Sequence, residues 1–128
     1  MRILRLSILS LLLISSPLSF AGAPTCHTHG GGNYCAYTGY VDRAYINSGG
    51  LFLLYFDTPL NLSVPSSVGF NASSTQAAAF PVSESDQFGY MLYSTALSAL
   101  SENKRVTIQM RGTYGGYLKI DRIWIYRE

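Results

Sequence analysis

One segment restricts the fold more than any other: residues 83–111 change hydrophobic period with no linker between the two regimes. Phe88, Leu92, Thr95, Ala96 and Ala99 recur at spacings of three and four, with Met91 and Leu100 flanking them, which is the stripe of an amphipathic helix. Ser83 with Asp86 three residues on is the pairing of a capping box, and the acidic side chains suit the positive end of the helix dipole. Asn103 is placed to end the helix in the left-handed region, with Lys104 and Arg105 beyond its negative end. The expected span is Ser85 to Glu102. Val106, Ile108 and Met110 then alternate with Thr107, Gln109 and Arg111, the period of a half-buried antiparallel strand. A helix that passes directly into such a strand must pack on the sheet which the strand joins. Ala96 and Ala99 are small enough for that approach to be close.

The remaining chain reads as strands around this unit. Ala36 to Phe56 is rich in Tyr, Val, Ile, Leu and Phe and is split once, by residues 47–50, into two strands and a turn. The first strand has apolar and polar residues on both parities and is expected to bulge near Gly39. The second, Leu51 to Phe56, is apolar at all six positions, as in a strand covered on both sides. Residues 60–80 are the least regular. A third strand is expected near Ser67 to Asn71, and the Ala77-Ala78-Ala79 run fits helix or extended chain. After Met110, residues 112–116 make a return into a last strand from Tyr117 to Tyr126. Its apolar residues change parity between Ile120 and Ile123, which predicts a bulge at Asp121-Arg122.

Met1 to Ala21 has the form of an export signal, with Arg2 and Arg5, an apolar centre from Ile8 to Ile14, and a small-x-small site at Ser19-Phe20-Ala21. The reading is one domain over residues 22–128, secreted or periplasmic. Of nine Lys/Arg two leave with the signal, so seven remain against seven Asp/Glu and the net charge of +2 falls to zero (9 − 2 − 7). A neutral chain lacks the electrostatic footprint of a nucleic-acid binder, and no second apolar run reaches membrane-spanning length. Cys26 and Cys35, the two cysteines, are expected to pair once exported. Closing a ten-residue loop contributes roughly 2.7 kcal/mol in the chain-entropy treatment. The rival reading, a metal site of the two cysteines with His27 and His29, requires reduced thiols and a loop that Gly30, Gly31 and Gly32 leave unorganised. The expectation is no metal and no other cofactor.

Enzymatic signatures are missing from the pattern. The two histidines both lie within the cysteine loop, there is no Gly-x-Ser-x-Gly elbow and no phosphate-binding glycine loop, and Glu84 and Asp86 are accounted for by helix capping. The compositional excess is tyrosine, ten in all. Tyrosine combines an apolar ring with a hydroxyl at low conformational cost, which suits recognition surfaces. Tyr34, Tyr37 and Tyr40 near the cysteines and Tyr114 and Tyr117 in the last hairpin are the surface candidates, whereas Tyr55, Tyr90 and Tyr93 fit packing. Trp124 has the parity opposite to Ile123 and Ile125 and fits either the core or an exposed groove.

The order strand, strand, strand, helix, strand, strand is that of a mainly β, five-stranded OB-like Greek-key barrel with its helix between the third and fourth strands. Residues 93–100 (YSTALSAL), 104–109 (KRVTIQ) and 120–125 (IDRIWI) carry a closer likeness. The stretch from Phe80 to Tyr126 resembles the C-terminal half of small exported bacterial OB-fold proteins, including B subunits of subtilase-cytotoxin-like and pertussis-like toxins. Such subunits often have further cysteines in the last hairpin, where this chain has Gly112-Thr113-Tyr114-Gly115-Gly116. The resemblance implies a non-enzymatic module that binds carbohydrate through tyrosine-bearing loops, and no residue of a glycan site is carried over from it. It also implies a homo-oligomer, with Tyr90, Ser94, Leu97, Ser101 and Lys104 on the helix face turned from the barrel. The alternative is a protein-interaction module, an inhibitor or assembly partner, using the same aromatic loops.

Overall fold

The computed structural model describes residues 23–127, and the expected export signal lies outside them. Six strands form one sheet: β1 (Thr25–His27), β2 (Tyr34–Ile46), β3 (Leu51–Phe56), β4 (Ala77–Pro81), β5 (Arg105–Tyr114) and β6 (Tyr117–Ile125). A short helix α1 (Ser63–Ser67) lies between β3 and β4, and the main helix α2 (Asp86–Ser101) lies between β4 and β5. β2 pairs with β3, β3 with β4, β4 with β6, β6 with β5, and β5 returns to β2. All of these ladders are antiparallel except β4–β6. The strand β2 pairs at its start with β1 and hands over between two further partners along its length: residues 35–40 pair with β5 and residues 41–46 with β3.

The third strand is a correction. No strand forms at Ser67–Asn71; that stretch is the last residue of α1 and the turn after it, and the start of α1 is held by Asn61 Oδ1 accepting the Ser63 N–H (3.0 Å) and hydroxyl (2.7 Å). The strand is instead the alanine run, buried at every position from Ala77 to Pro81. Its small side chains let β3 and β6 close in on either side, and two-sided burial removes any alternation by which sequence would mark a strand. The bulge near Gly39 is also displaced. The register of β2 on β3 slips between Val41 and Arg43, making Asp42 the extra residue. On β6 the register slips where expected, with Gln109 opposite Arg122 and Met110 opposite Ile120, so Asp121 bulges.

α2 spans the expected residues with a different cap. Ser85, not Ser83, is the N-cap, and its hydroxyl accepts the Phe88 N–H at 3.1 Å. Residues Val82–Glu84 form a 3-10 turn that brings Ser85 to the helix start in extended conformation, and Glu84 is drawn to Lys119 (3.2 Å). At the far end Asn103 takes φ 50°, Lys104 N–H donates to Ala99 O (2.9 Å) and Asn103 N–H to Leu100 O (3.4 Å), a Schellman closure. Leu92, Ala96 and Ala99 are buried in the core against the sheet, and Gly89 is buried against Val82 of the 3-10 turn. The core they complete contains Phe52, Leu54, Phe56, Val106, Ile108, Met110, Leu118 and Ile120. Leu53, Ala77 and Ala79 face the other way and are covered by Leu51, Tyr55 and Tyr117, so β3 is buried on both faces as its composition predicts.

Candidate functional site: an aromatic and arginine face

The outward side chains of β2, β5 and β6 share one face. Thr38 stands opposite Thr107, and Thr107 opposite Trp124. Val106 and Ile108 point into the core, which sends Thr107 outward; Ile123 packs on the core, which sends Arg122 and Trp124 outward. Trp124 is 43% exposed and Tyr126, one step past the end of β6, is 44% exposed. Between these rings runs a line of hydroxyls. Thr38 and Thr107 bond one another through their Oγ1 atoms, and Thr107 Oγ1 meets the Tyr126 hydroxyl at 2.9 Å. Tyr40 is half-buried and lies opposite Arg105 at the same end.

The β6 bulge organises the next part of the face. Asp121 Oδ2 accepts from Gln109 Nε2 (3.1 Å) and Arg122 Nε (3.1 Å) and lies 3.4 Å from Arg111 Nε. Counted back from Ile123, which packs on the core, Asp121 would have inward parity. The bulge places its carboxylate among these donors. Arg111 also stacks over Tyr34, 5.4 Å from the ring centroid, and Tyr34 stacks with His27 at 4.9 Å. The Cys26–Cys35 disulfide is formed one residue away, across directly opposed positions of β1 and β2. Its sulfurs are thereby not thiolates, and the metal arrangement weighed for this loop lacks its two principal ligands.

The six aromatic candidates do not converge. Trp124 lies on the face, with Tyr34 and Tyr40 at its two ends. Tyr37 is a correction: it is 8% exposed, its ring meets Phe56 edge-on at 4.7 Å, and it belongs to the core because it shares inward parity with Cys35 and Val41. Burial, with the nearby Asp57 charge adding to it, raises the Tyr37 hydroxyl above its ordinary pKa, against a lowering by its hydrogen bond with Thr58. Tyr114 is exposed and stands opposite Tyr117 across Gly115 and Gly116, whose positive φ angles (57° and 85°) make a tight hairpin turn. Tyr117 packs over Ala77 and Ala79, away from Trp124. Sequence reasoning missed Tyr126, Thr38, Thr107 and Arg122. The signal for two of them was available: Arg122 and Tyr126 have the parity of Trp124.

A second feature is a cleft of about 220 Å³ lined by Asp42, Arg43, Tyr55, Phe56, Asp57, Pro59 and Gln76. Asp42, the bulge residue of β2, is one of its walls. Arg43 occupies the Tyr55 ring face at 4.1 Å, so that ring is covered within the chain itself. On α2, Tyr90 (70% exposed), Met91, Leu97 and Leu100 are uncovered, and Lys104 bonds Glu102 at 2.6 Å. No helix among the described residues is long and apolar enough to cross a membrane. Comparison with protein-family models, curated proteins and solved structures finds no match, so the site is read from its geometry.

Proposed function

We propose that this chain is an exported, non-enzymatic binding module on an OB-like barrel, and that it recognises glycans through the face around Trp124. The pairing circuit β2–β3–β4–β6–β5, with one helix between β4 and β5, supports the barrel reading. The disulfide supports a working place outside the reducing cytosol. The observation that carries the ligand class is the hydroxyl line Thr38–Thr107–Tyr126 beside the exposed indole of Trp124. An exposed aromatic face stacks on the C–H surface of a sugar ring, while adjacent hydroxyls exchange hydrogen bonds with the sugar's own. The test is a broad glycan array with the oxidised protein and Trp124→Ala. Since β6 points this ring outward, the variant is expected to fold and to lose about tenfold or more in binding, the scale of an aromatic anchor in a binding site. A folded wild-type protein that binds nothing on the array refutes the glycan reading. That outcome favours a protein partner instead, for which a surface of Trp, Tyr and Arg is also suited.

A further inference from the structure

Arg122 precedes Trp124 by two residues on the same side of β6, and its side chain is 61% exposed. Its Nε is tied to Asp121 Oδ2, the oxygen that also receives Gln109 and lies 3.4 Å from Arg111. Two guanidinium groups therefore share one carboxylate, and this part of the face carries a local charge of +1 (2 − 1). Chain neutrality over residues 22–128 hides this, since Asp42 and Asp57 gather at the cleft and Glu84 and Glu102 are engaged by Lys119 and Lys104. Anchoring through Nε fixes the guanidinium plane and leaves its paired Nη nitrogens as the end that meets a ligand. That fork matches the two oxygens of a carboxylate or sulfate.

We infer that Arg122 is a specificity-determining residue of the Trp124 face, selecting glycans that carry a carboxylate or sulfate beside the ring stacked on Trp124. This rests on the glycan reading above.

The test uses three glycans of one backbone, neutral, uronic and sulfated, titrated against the oxidised protein and Arg122→Gln at low and high salt. Wild type is expected to bind an acidic probe about tenfold or more tighter than the neutral one, as a charge-assisted bond warrants, with the advantage shrinking in high salt. Arg122→Gln removes the advantage, so that acidic and neutral probes bind it alike; Arg122→Lys, which keeps charge without the fork, retains part of the advantage. The variant keeps Gln109 and Arg111 on Asp121, and near-UV circular dichroism verifies its fold. Whichever acidic probe wins identifies the anion. Equal binding of neutral and acidic probes by wild type, or a preference that survives in Arg122→Gln, overturns the inference while the glycan reading stands. Failure of all three probes with folded protein overturns both.

Discussion

Replacing Gly39 with alanine tests how tightly the inner side of β2 is packed. In open space a Gly-to-Ala change within a strand is expected to stabilise by about 0.5–1 kcal/mol, because alanine has less backbone freedom to lose. At Gly39 a Cβ would stand 2.9 Å from Tyr37 Cε1 and 3.1 Å from Phe56 Cδ1, inside the 3.4 Å limit of ordinary contact. Neither ring can retreat cheaply. They are wedged edge-to-face at 4.7 Å, both are buried, and the Tyr37 hydroxyl is bonded to Thr58. Overpacking of this kind costs about 1–3 kcal/mol, so the net expectation is a loss of about 1–2 kcal/mol. Urea titration measures it as a lower midpoint at constant slope. Gly30→Ala is the control, since nothing lies within 4 Å of its added methyl group, and it should be neutral or slightly stabilising. In a Tyr37→Leu background, where the nearest obstacle is gone and Phe56 has room to shift, the Gly39→Ala loss should shrink. An unchanged or raised midpoint for Gly39→Ala in the wild-type background would refute the packing argument.

Three further expectations concern the disulfide, the helix cap and the buried tyrosine. Replacing Cys26 and Cys35 together by serine should cost up to about 2.7 kcal/mol by urea titration, and treating the wild type with dithiothreitol should approach the same value. Ser85→Ala should cost about 1 kcal/mol by loss of the bond to the Phe88 N–H, whereas Ser83→Ala should leave stability nearly unchanged; the reverse order would restore the capping box at Ser83. The raised Tyr37 hydroxyl holds its proton more tightly in the folded state than in the unfolded one, so its contribution is intact below the ordinary tyrosine value of 10.0 and is lost as pH climbs above it. Stability measured from about pH 8 to 11 should therefore fall less steeply above pH 10.0 in Tyr37→Phe than in wild type.

The elements legible in sequence were those whose burial is one-sided, together with β3, whose unbroken apolar run marks a strand covered on both faces. α2 and β5 announce themselves by period because each hides one face only. The parity change between Ile120 and Ile123 located the β6 bulge, since a change of facing along one strand requires an extra residue. The β4 strand was not legible: alanine favours helix in isolation, and only its two partner strands make it extended. Tyr37 shows the corresponding limit for the site. An excess of tyrosine says that polar-tipped rings are in use, but which of them face outward depends on where β2 changes partners. Trp124 was likewise left open between core and groove by its parity opposite Ile123 and Ile125, and it is the packing of Ile123 on the core that sends its ring outward.

The ladder that joins β2 to β5 carries a kinetic consequence. The β2–β3 and β5–β6 hairpins are local and need only short loop closures, whereas Cys35 must find Met110 and Tyr40 must find Arg105 across most of the chain. Such contacts are rewarded only after a large loop entropy has been spent, which places folding in the millisecond-to-second range typical of β topologies. During synthesis β2 emerges long before β5, so its residues 35–40 have no partner on that side until the chain is nearly finished. Cys26 and Cys35, nine residues apart, can join without waiting for β5, so that their bond restrains the start of β2 independently of the ladder that completes it.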